Sequence, residues 1–314
     1  VTEIEDLGTQ TELGRLRAAR DRGRAILDAI ASAYLVTENG RISAVNDVMC
    51  EILGFSRDEL LGKGAPFPFW PPEHVELGLQ LIEDVLGKAV ETGGAQTFEM
   101  LLMRKDGTRF VAEITAAAAR NPDGSQMGWV STIHDISRRR DHEAELERLA
   151  NHDPLTGLAN RRLFDLRLHE EMTDAVRYDR SLAVAILDLD HFKHVNDRFG
   201  HPTGDWALKE TAQRLAQALR SGDLLARVGG EEFAWILPEA QTQGAWAAVE
   251  RARQAISDVP YKEIGTLTIS IGVGLRGMMD NAAELYENAD RSLYQAKRDG
   301  RNRSVMWGGE PTVG

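Results

Sequence analysis

Cysteine is almost missing from this chain of 314 residues: Cys50 is the only one. No internal disulfide can form, and such usage suits a reducing cytosol, so a cytoplasmic location is expected. Long apolar runs are missing too. None approaches the roughly 18–20 residues that cross a bilayer, and no signal peptide is visible, so no membrane is expected as a partner of this chain. Positive charge is in short supply: 37 Lys and Arg stand against 49 Asp and Glu, a formal net charge of −12. That balance argues against nucleic acid as a partner, and any nucleotide must meet a local cluster of cations. The start at Val1 reads as a cut from a longer protein, with room for further sensors upstream.

What is present is enough chain for two domains with separate cores. The most informative stretch runs from Arg220 to Phe233. An apolar run, Leu224-Leu225-Ala226 with Val228, leads into Gly229-Gly230; then come Glu231 and Glu232, and Phe233 to Leu237. This reads as strand, tight turn, strand, with two acids just past the bend. The glycines are expected to take positive φ and to leave a ligand room. A carboxylate beside such a turn can hold a hard cation while a phosphate chain comes close. Alone, the turn is as often a solvated hairpin as a site. A second acidic strand end strengthens it: Ala183 to Leu187 is followed by Asp188-Leu189-Asp190.

These residues resemble the GGDEF family of diguanylate cyclases, of which GGEEF is an accepted variant. His152-Asp-Pro-Leu-Thr-Gly-Leu-Ala-Asn-Arg-Arg162 resembles the family's DxLTGLxNRR, and Asp188-Leu-Asp-His-Phe-Lys-His-Val-Asn-Asp197 its DxDxFKxxND. Phe199 to Asp205 resembles FGHxxGD, and Ala296 to Asn302 the closing AKxxGRN. The resemblance implies a polymerase-palm-like sheet with helices on both faces over residues 152–308; within it the sequence reads as helices over 204–221, 242–257 and 282–298, with Asp205 as an acid at the start of the first, and as a strand over 266–275. It implies condensation of two GTP into cyclic di-GMP and two pyrophosphates, with two Mg²⁺ or Mn²⁺ ions per active site. Asp188, the Leu189 carbonyl and Glu231 would ligate metal. Glu231 would also accept the 3′-hydroxyl proton, Glu232 would support the second ion, and Lys193 would stabilise phosphate charge. Phe192, Asn196, Asp205, Gly229 and Gly230 fall in the GTP-binding set, with Lys297 and Arg301 on the γ-phosphate.

Guanine offers N1–H and an exocyclic amine, and a carboxylate at Asp205 can accept from both. Each site holds one GTP and the product is two-fold symmetric, so a homodimer is expected. Arg220 and Asp223 match the family's RxxD product-inhibition site, with Arg251 as a contact from a neighbouring domain. The plainer reading of Arg220 and Asp223 is a surface ion pair.

The N-terminal half is read as α+β as well. Residues 1–30 read as a dimerisation helix, with Leu13, Leu16, Leu27 and Ile30 at heptad spacing and Arg20 and Gly23 as misfits. Residues 31–136 give two strands around Asn39-Gly40, short helices, a longer helix over 73–91 and three strands. That order, with Gly54-Phe55-Ser56, Glu59 to Gly62 and Asp135-Ile136-Ser137, resembles a PAS sensor domain.

Its ligand is not named by the sequence. A LOV-type flavin needs a cysteine between Gly62 and Pro72, and none is there. Haem needs an axial histidine, and His74, beside Pro71-Pro72, reads as a surface residue. Phe67, Phe69 and Trp70 either wall a small apolar pocket or simply pack. Residues 137–151 read as one charged helix with Leu146 and Leu149 on a stripe, a dimer stalk or a solvated connector. Two other functions compete with the cyclase: a degenerate domain that only binds cyclic di-GMP or GTP, and a PAS-led dimeric adaptor.

Overall fold

The computed structural model describes residues 32–121, 123, 125–277 and 281–308. The expected dimerisation helix over residues 1–30 lies outside the described residues. Contacts divide the chain into two units that meet between Glu143 and Ala144. Among the described residues no helix is long and apolar enough to cross a membrane.

In the first unit, β1 (Ala33–Glu38) and β2 (Arg41–Val45) form a hairpin around Asn39-Gly40, both at positive φ. Asn46 then caps α1 (Asp47–Leu53): its buried Oδ1 accepts from the Tyr34 and Met49 amides at 3.1 and 3.0 Å. Ser56 and Glu59 form the capping box expected of them at the start of α2 (Arg57–Leu60). A 3₁₀ turn (Pro72–His74) precedes α3 (Val75–Thr92). Three strands follow, β3 (Gln96–Met103), β4 (Arg109–Arg120) and β5 (Gln126–Asp135). The sheet is antiparallel in the order β2-β1-β5-β4-β3. At its exit the Ser137 amide donates to Asp135 and the Ser137 hydroxyl accepts from the Val111 amide. There α4 (Ser137–Asn151) begins, one helix over the expected link, with Leu146 and Leu149 exposed.

The second unit starts with β6 (Ala159–Asn160) and α5 (Arg161–Tyr178), capped by Asn160. β7 (Leu182–Leu189) is buried throughout. Helices α6 (Phe192–Phe199) and α7 (His201–Ala216) lead to the hairpin of β8 (Leu224–Arg227) and β9 (Glu232–Pro238). Then come α8 (Thr242–Ser257), β10 (Ile269–Leu275), α9 (Ala282–Arg298) and β11 (Ser304–Met306). The mixed sheet runs β11-β10-β7-β9-β8-β6.

Strand periodicity sorts its two faces. Ala183, Ala185 and Leu187 pack with α6, α7 and α8, whereas Val184 and Ile186 pack with α5 and α9. Helix α9 lies directly on β10: a Cβ at Gly272 would come within 2.0 Å of the Leu293 nitrogen. No larger residue than glycine fits that contact.

Two expectations are corrected. The helix read as 204–221 runs from His201 to Ala216. Gly200, at φ 81°, makes the break, and Pro202 fits the first turn, where its missing N–H costs nothing. Asp205 is therefore the fifth residue of α7 and not its N-terminal acid. The strand read from Thr266 begins at Ile269, because Tyr261 and Gly265 exchange backbone hydrogen bonds in a turn and Thr268 faces Asp190.

Candidate active site

Pairing of β7 with β9 sets Asp188 directly opposite Glu232, and the Leu189 amide donates to the Glu231 carbonyl at 3.3 Å. The two strand ends read as acidic in the sequence are thus adjacent. Asp188 lies on the face covered by α9, and Lys297 of that helix reaches its Oδ2 at 2.8 Å. Burial pushes the Asp188 carboxyl above its ordinary range; Lys297 opposes the shift, and the charges of Glu231 and Glu232 add to it. The site therefore carries more negative charge than one lysine offsets, which is the condition for holding a cation. Three of its groups are oxygen donors suited to a hard ion: Asp188, Glu231 and the Leu189 carbonyl. Among the described residues no cluster of three or more His, Cys, Asp or Glu side chains is spaced to hold a metal by itself. Water or ligand oxygens would have to complete any coordination shell.

The glycines act otherwise than expected. Neither Gly229 nor Gly230 has positive φ. The turn closes through the Val228 and Gly229 amides, both donating to the Glu232 carbonyl at 2.9 and 3.3 Å. A Cβ at Gly229 would sit 2.6 Å from the Glu232 carboxylate, whereas at Gly230 it would meet nothing within 4 Å. Gly230 provides open space and Gly229 lets Glu232 fold back over the turn.

Phe192, Asn196 and Asp205, expected to bind nucleotide, lie at the junction of α6 and α7. A Cβ at Gly204 would strike Asn196 Oδ1 at 1.9 Å, so the Asn196 amide lies on the backbone beside Asp205, with the buried Phe192 ring next to it. Lys193 and Asp205 are exposed, and nothing among the described residues pairs with either side chain. Arg301 sits in a left-handed turn, φ 65°, with its guanidinium likewise unpaired among the described residues.

Three positioning residues escaped the sequence reading. Asp190, 4% exposed, accepts from Thr268 Oγ1 and Ser270 Oγ at 2.7 Å each and from the Asn302 amide at 3.0 Å. It ties the end of β7 to the turn carrying Arg301. Arg227 donates to the Gly230 carbonyl at 2.7 Å and pairs with Asp153 at 3.1 Å, pinning the glycine turn to the opening motif. Asp190 stands two places after Asp188 and Arg227 two places before Gly229, but their partners are distant in sequence.

This arrangement matches known proteins. A family model described as the diguanylate cyclase GGDEF domain covers residues 150–303. The solved coiled coil and GGDEF domain of DgcB from Caulobacter crescentus, in complex with c-di-GMP, is 32% identical with a TM-score of 0.52, covering 55% of this chain and 93% of that one. The chain belongs to the GGDEF family. The diguanylate cyclase DgcM of Escherichia coli K12 is 37% identical over 171 residues, 54% of this chain and 42% of DgcM. The probable diguanylate cyclase DgcE of the same organism is 29% identical over 308 residues, 95% of this chain and 27% of DgcE. The chain spans less than half the length of these two relatives. A second model, described as a PAS domain, matches residues 30–138.

Outside its acidic centre the GGDEF domain carries a second group of expected residues. Asp223 accepts from the Arg220 backbone amide at 2.9 Å. Among the described residues no ion pair joins the two side chains, so the plain surface pair is not formed. The Arg220 guanidinium instead lies about the start of α8, where a Cβ on Gly244 would be 3.9 Å from Nη2. Arg251 stands two turns further along α8, donating to the Ala247 carbonyl at 3.1 Å.

In the PAS domain, Cys50 is half-buried among apolar neighbours, and burial raises its thiol above the ordinary value. His74 ends the 3₁₀ turn.

Proposed function

We propose that the GGDEF domain condenses two GTP into cyclic di-GMP and two pyrophosphates, with the GGEEF turn serving as the signature. The observation that carries this reading is the pairing of Asp188 with Glu232 beside Glu231, under Lys297. Asp188, the Leu189 carbonyl and Glu231 would hold divalent cations, Mg²⁺ or Mn²⁺, with Glu232 supporting the second. Bound there, such ions lower the pKa of the attacking 3′-hydroxyl and neutralise charge on the leaving pyrophosphate.

Glu231 accepts the 3′-hydroxyl proton. Open space at Gly230 lets the triphosphate approach the main chain. Lys193, Lys297 and Arg301 bind phosphate oxygens, which supplies the local positive cluster that an acidic chain needs. Asp205 accepts from guanine N1–H and the exocyclic amine; adenine offers no such donor pair, so ATP is rejected.

Each domain brings one GTP, so two copies act as a homodimer with facing sites. The exposed Leu146 and Leu149 of α4 suit a dimer stalk through which the PAS domain controls that encounter. Cyclic di-GMP bound at Arg220, Asp223 and Arg251 inhibits the enzyme, with arginine forks on its phosphates and guanine edges.

Chromatography of a GTP and Mg²⁺ incubation tests the reading. Cyclic di-GMP with two pyrophosphates per product supports it. Nucleotide binding without product would instead mark a receptor or adaptor.

A further inference from the structure

Between the five-stranded sheet and the segment from Ala65 to Leu86 lies a cavity of about 190 Å³. Its size restricts what it can hold. An apolar cavity of roughly 150 Å³ stays dry and takes up benzene, whereas drug-sized ligands occupy about 300–1,000 Å³. Haem and flavin are far too large, and neither His74 nor Cys50 reaches the wall. One six-membered ring with a small substituent fits.

Its chemistry restricts the occupant further. Among the described residues, no charged side chain and no histidine lines the cavity. An ionised ligand would leave water for an apolar space with no counter-charge, and its desolvation would go uncompensated. The wall is aromatic and internally braced. Phe67 stacks on Phe69 at 5.3 Å between centroids and meets Trp70 edge-on at 5.5 Å. Gly78 of α3 lets the helix close against this wall, since a Cβ there would approach Trp70 Cζ3 to 2.9 Å. Ring edges and faces fixed in this way favour a planar ring over a flexible chain.

The floor supplies a polar handle. Thr37 and Ser131 are the hydroxyl side chains at the cavity, on adjacent strands. In the register of β1 with β5, Leu35 faces Ser131 and Thr37 faces Trp129, so the hydroxyls are diagonal neighbours on one sheet face. Neither hydroxyl has a hydrogen-bond partner among the described residues. Ala116 stands opposite Ser131 on β4, and its small side chain leaves space above that hydroxyl.

We propose that this cavity binds a small neutral aromatic molecule of the phenol class. Its ring lies against Phe67, Phe69 and Trp70, and its hydroxyl exchanges hydrogen bonds with Ser131 and Thr37. The inference does not depend on cyclase activity.

The test titrates the full chain with phenol, benzene and benzoate, following tryptophan emission and binding heat. Trp70 and Trp129 line the cavity and serve as reporters. Phenol should saturate one site per chain, benzene should bind about fivefold more weakly for want of a hydrogen bond, and benzoate should not bind. Ser131→Ala should narrow the preference for phenol over benzene and leave benzene binding unchanged. Ala116→Leu, which fills the space, should abolish both. Absence of saturable binding by phenol and benzene would overturn the proposal. So would benzoate binding as well as phenol, or an unchanged phenol preference in Ser131→Ala.

Discussion

Lys297 and Asp188 are ion-paired at 2.8 Å, with the aspartate side chain 11% and the lysine side chain 32% exposed. A lysine from α9 thus occupies the flank of the acid proposed to hold metal. The pair is only partly shielded, and Glu231 and Glu232 leave the neighbourhood negative.

Lys297→Met removes the compensating charge and leaves Asp188 buried without it. Stability at neutral pH should fall by about 1–3 kcal/mol. Mn²⁺ should raise the melting temperature of this variant more than that of the wild type, because the ion replaces the missing charge. KM for GTP should rise as well. An equal Mn²⁺ response in both proteins would contradict the assignment.

Base selection is the role proposed for Asp205. Asp205→Asn exchanges one acceptor for a donor that faces the donors of guanine. KM for GTP should rise about tenfold, in proportion to one or two lost charge-assisted hydrogen bonds. Unchanged kcat/KM for GTP would show that the carboxylate on α7 does not meet the base.

Arg220 lies apart from the acidic centre, against the start of α8. Arg220→Ala should retain the initial rate while the cyclic di-GMP concentration needed for half-inhibition rises at least about tenfold, the loss of a bidentate phosphate contact. Initial rates measured across a product series check this.

Asp153 and Arg227 hold the glycine turn in place. Burial acts to raise the Asp153 pKa, but hydrogen bonds from Thr156 and the Arg227 pair outweigh it and hold the carboxyl below its ordinary range. A depressed carboxylate contributes stability above its unfolded pKa of about 4, and loses it as pH falls through the lower folded value. Asp153→Asn should therefore cost about 1–3 kcal/mol at pH 7. The gap to wild type should close below about pH 4. A gap independent of pH would exclude the ion pair as its source.

Much of this fold was legible because local signals agreed. Thr242–Ser257 and Ala282–Arg298 have the bounds expected of them, and Asn281 with Glu284 caps the second through its side chain. The acidic strand ends were legible as motifs, and pairing then set them opposite one another. What escaped depends on contacts distant in sequence. Asp190 is satisfied by residues 78 to 112 positions away, which no local pattern announces. Arg227 acts on the turn from within a strand that reads as apolar. The positive φ expected at Gly229-Gly230 failed because the loop closes through Glu232 and Arg227 with ordinary backbone, so the glycines serve space and not torsion. The start of α7 was misread because a Gly-His-Pro string looks like loop, although proline suits a first helical turn.

The most direct test of the account is the rate of cyclic di-GMP formation from GTP and Mg²⁺ by wild type and Glu231→Gln. Circular dichroism and melting would establish that both are folded. The account predicts product from the wild type and a loss of about a hundredfold or more in the variant, in line with removing a general base. Equal rates from the two proteins would contradict it.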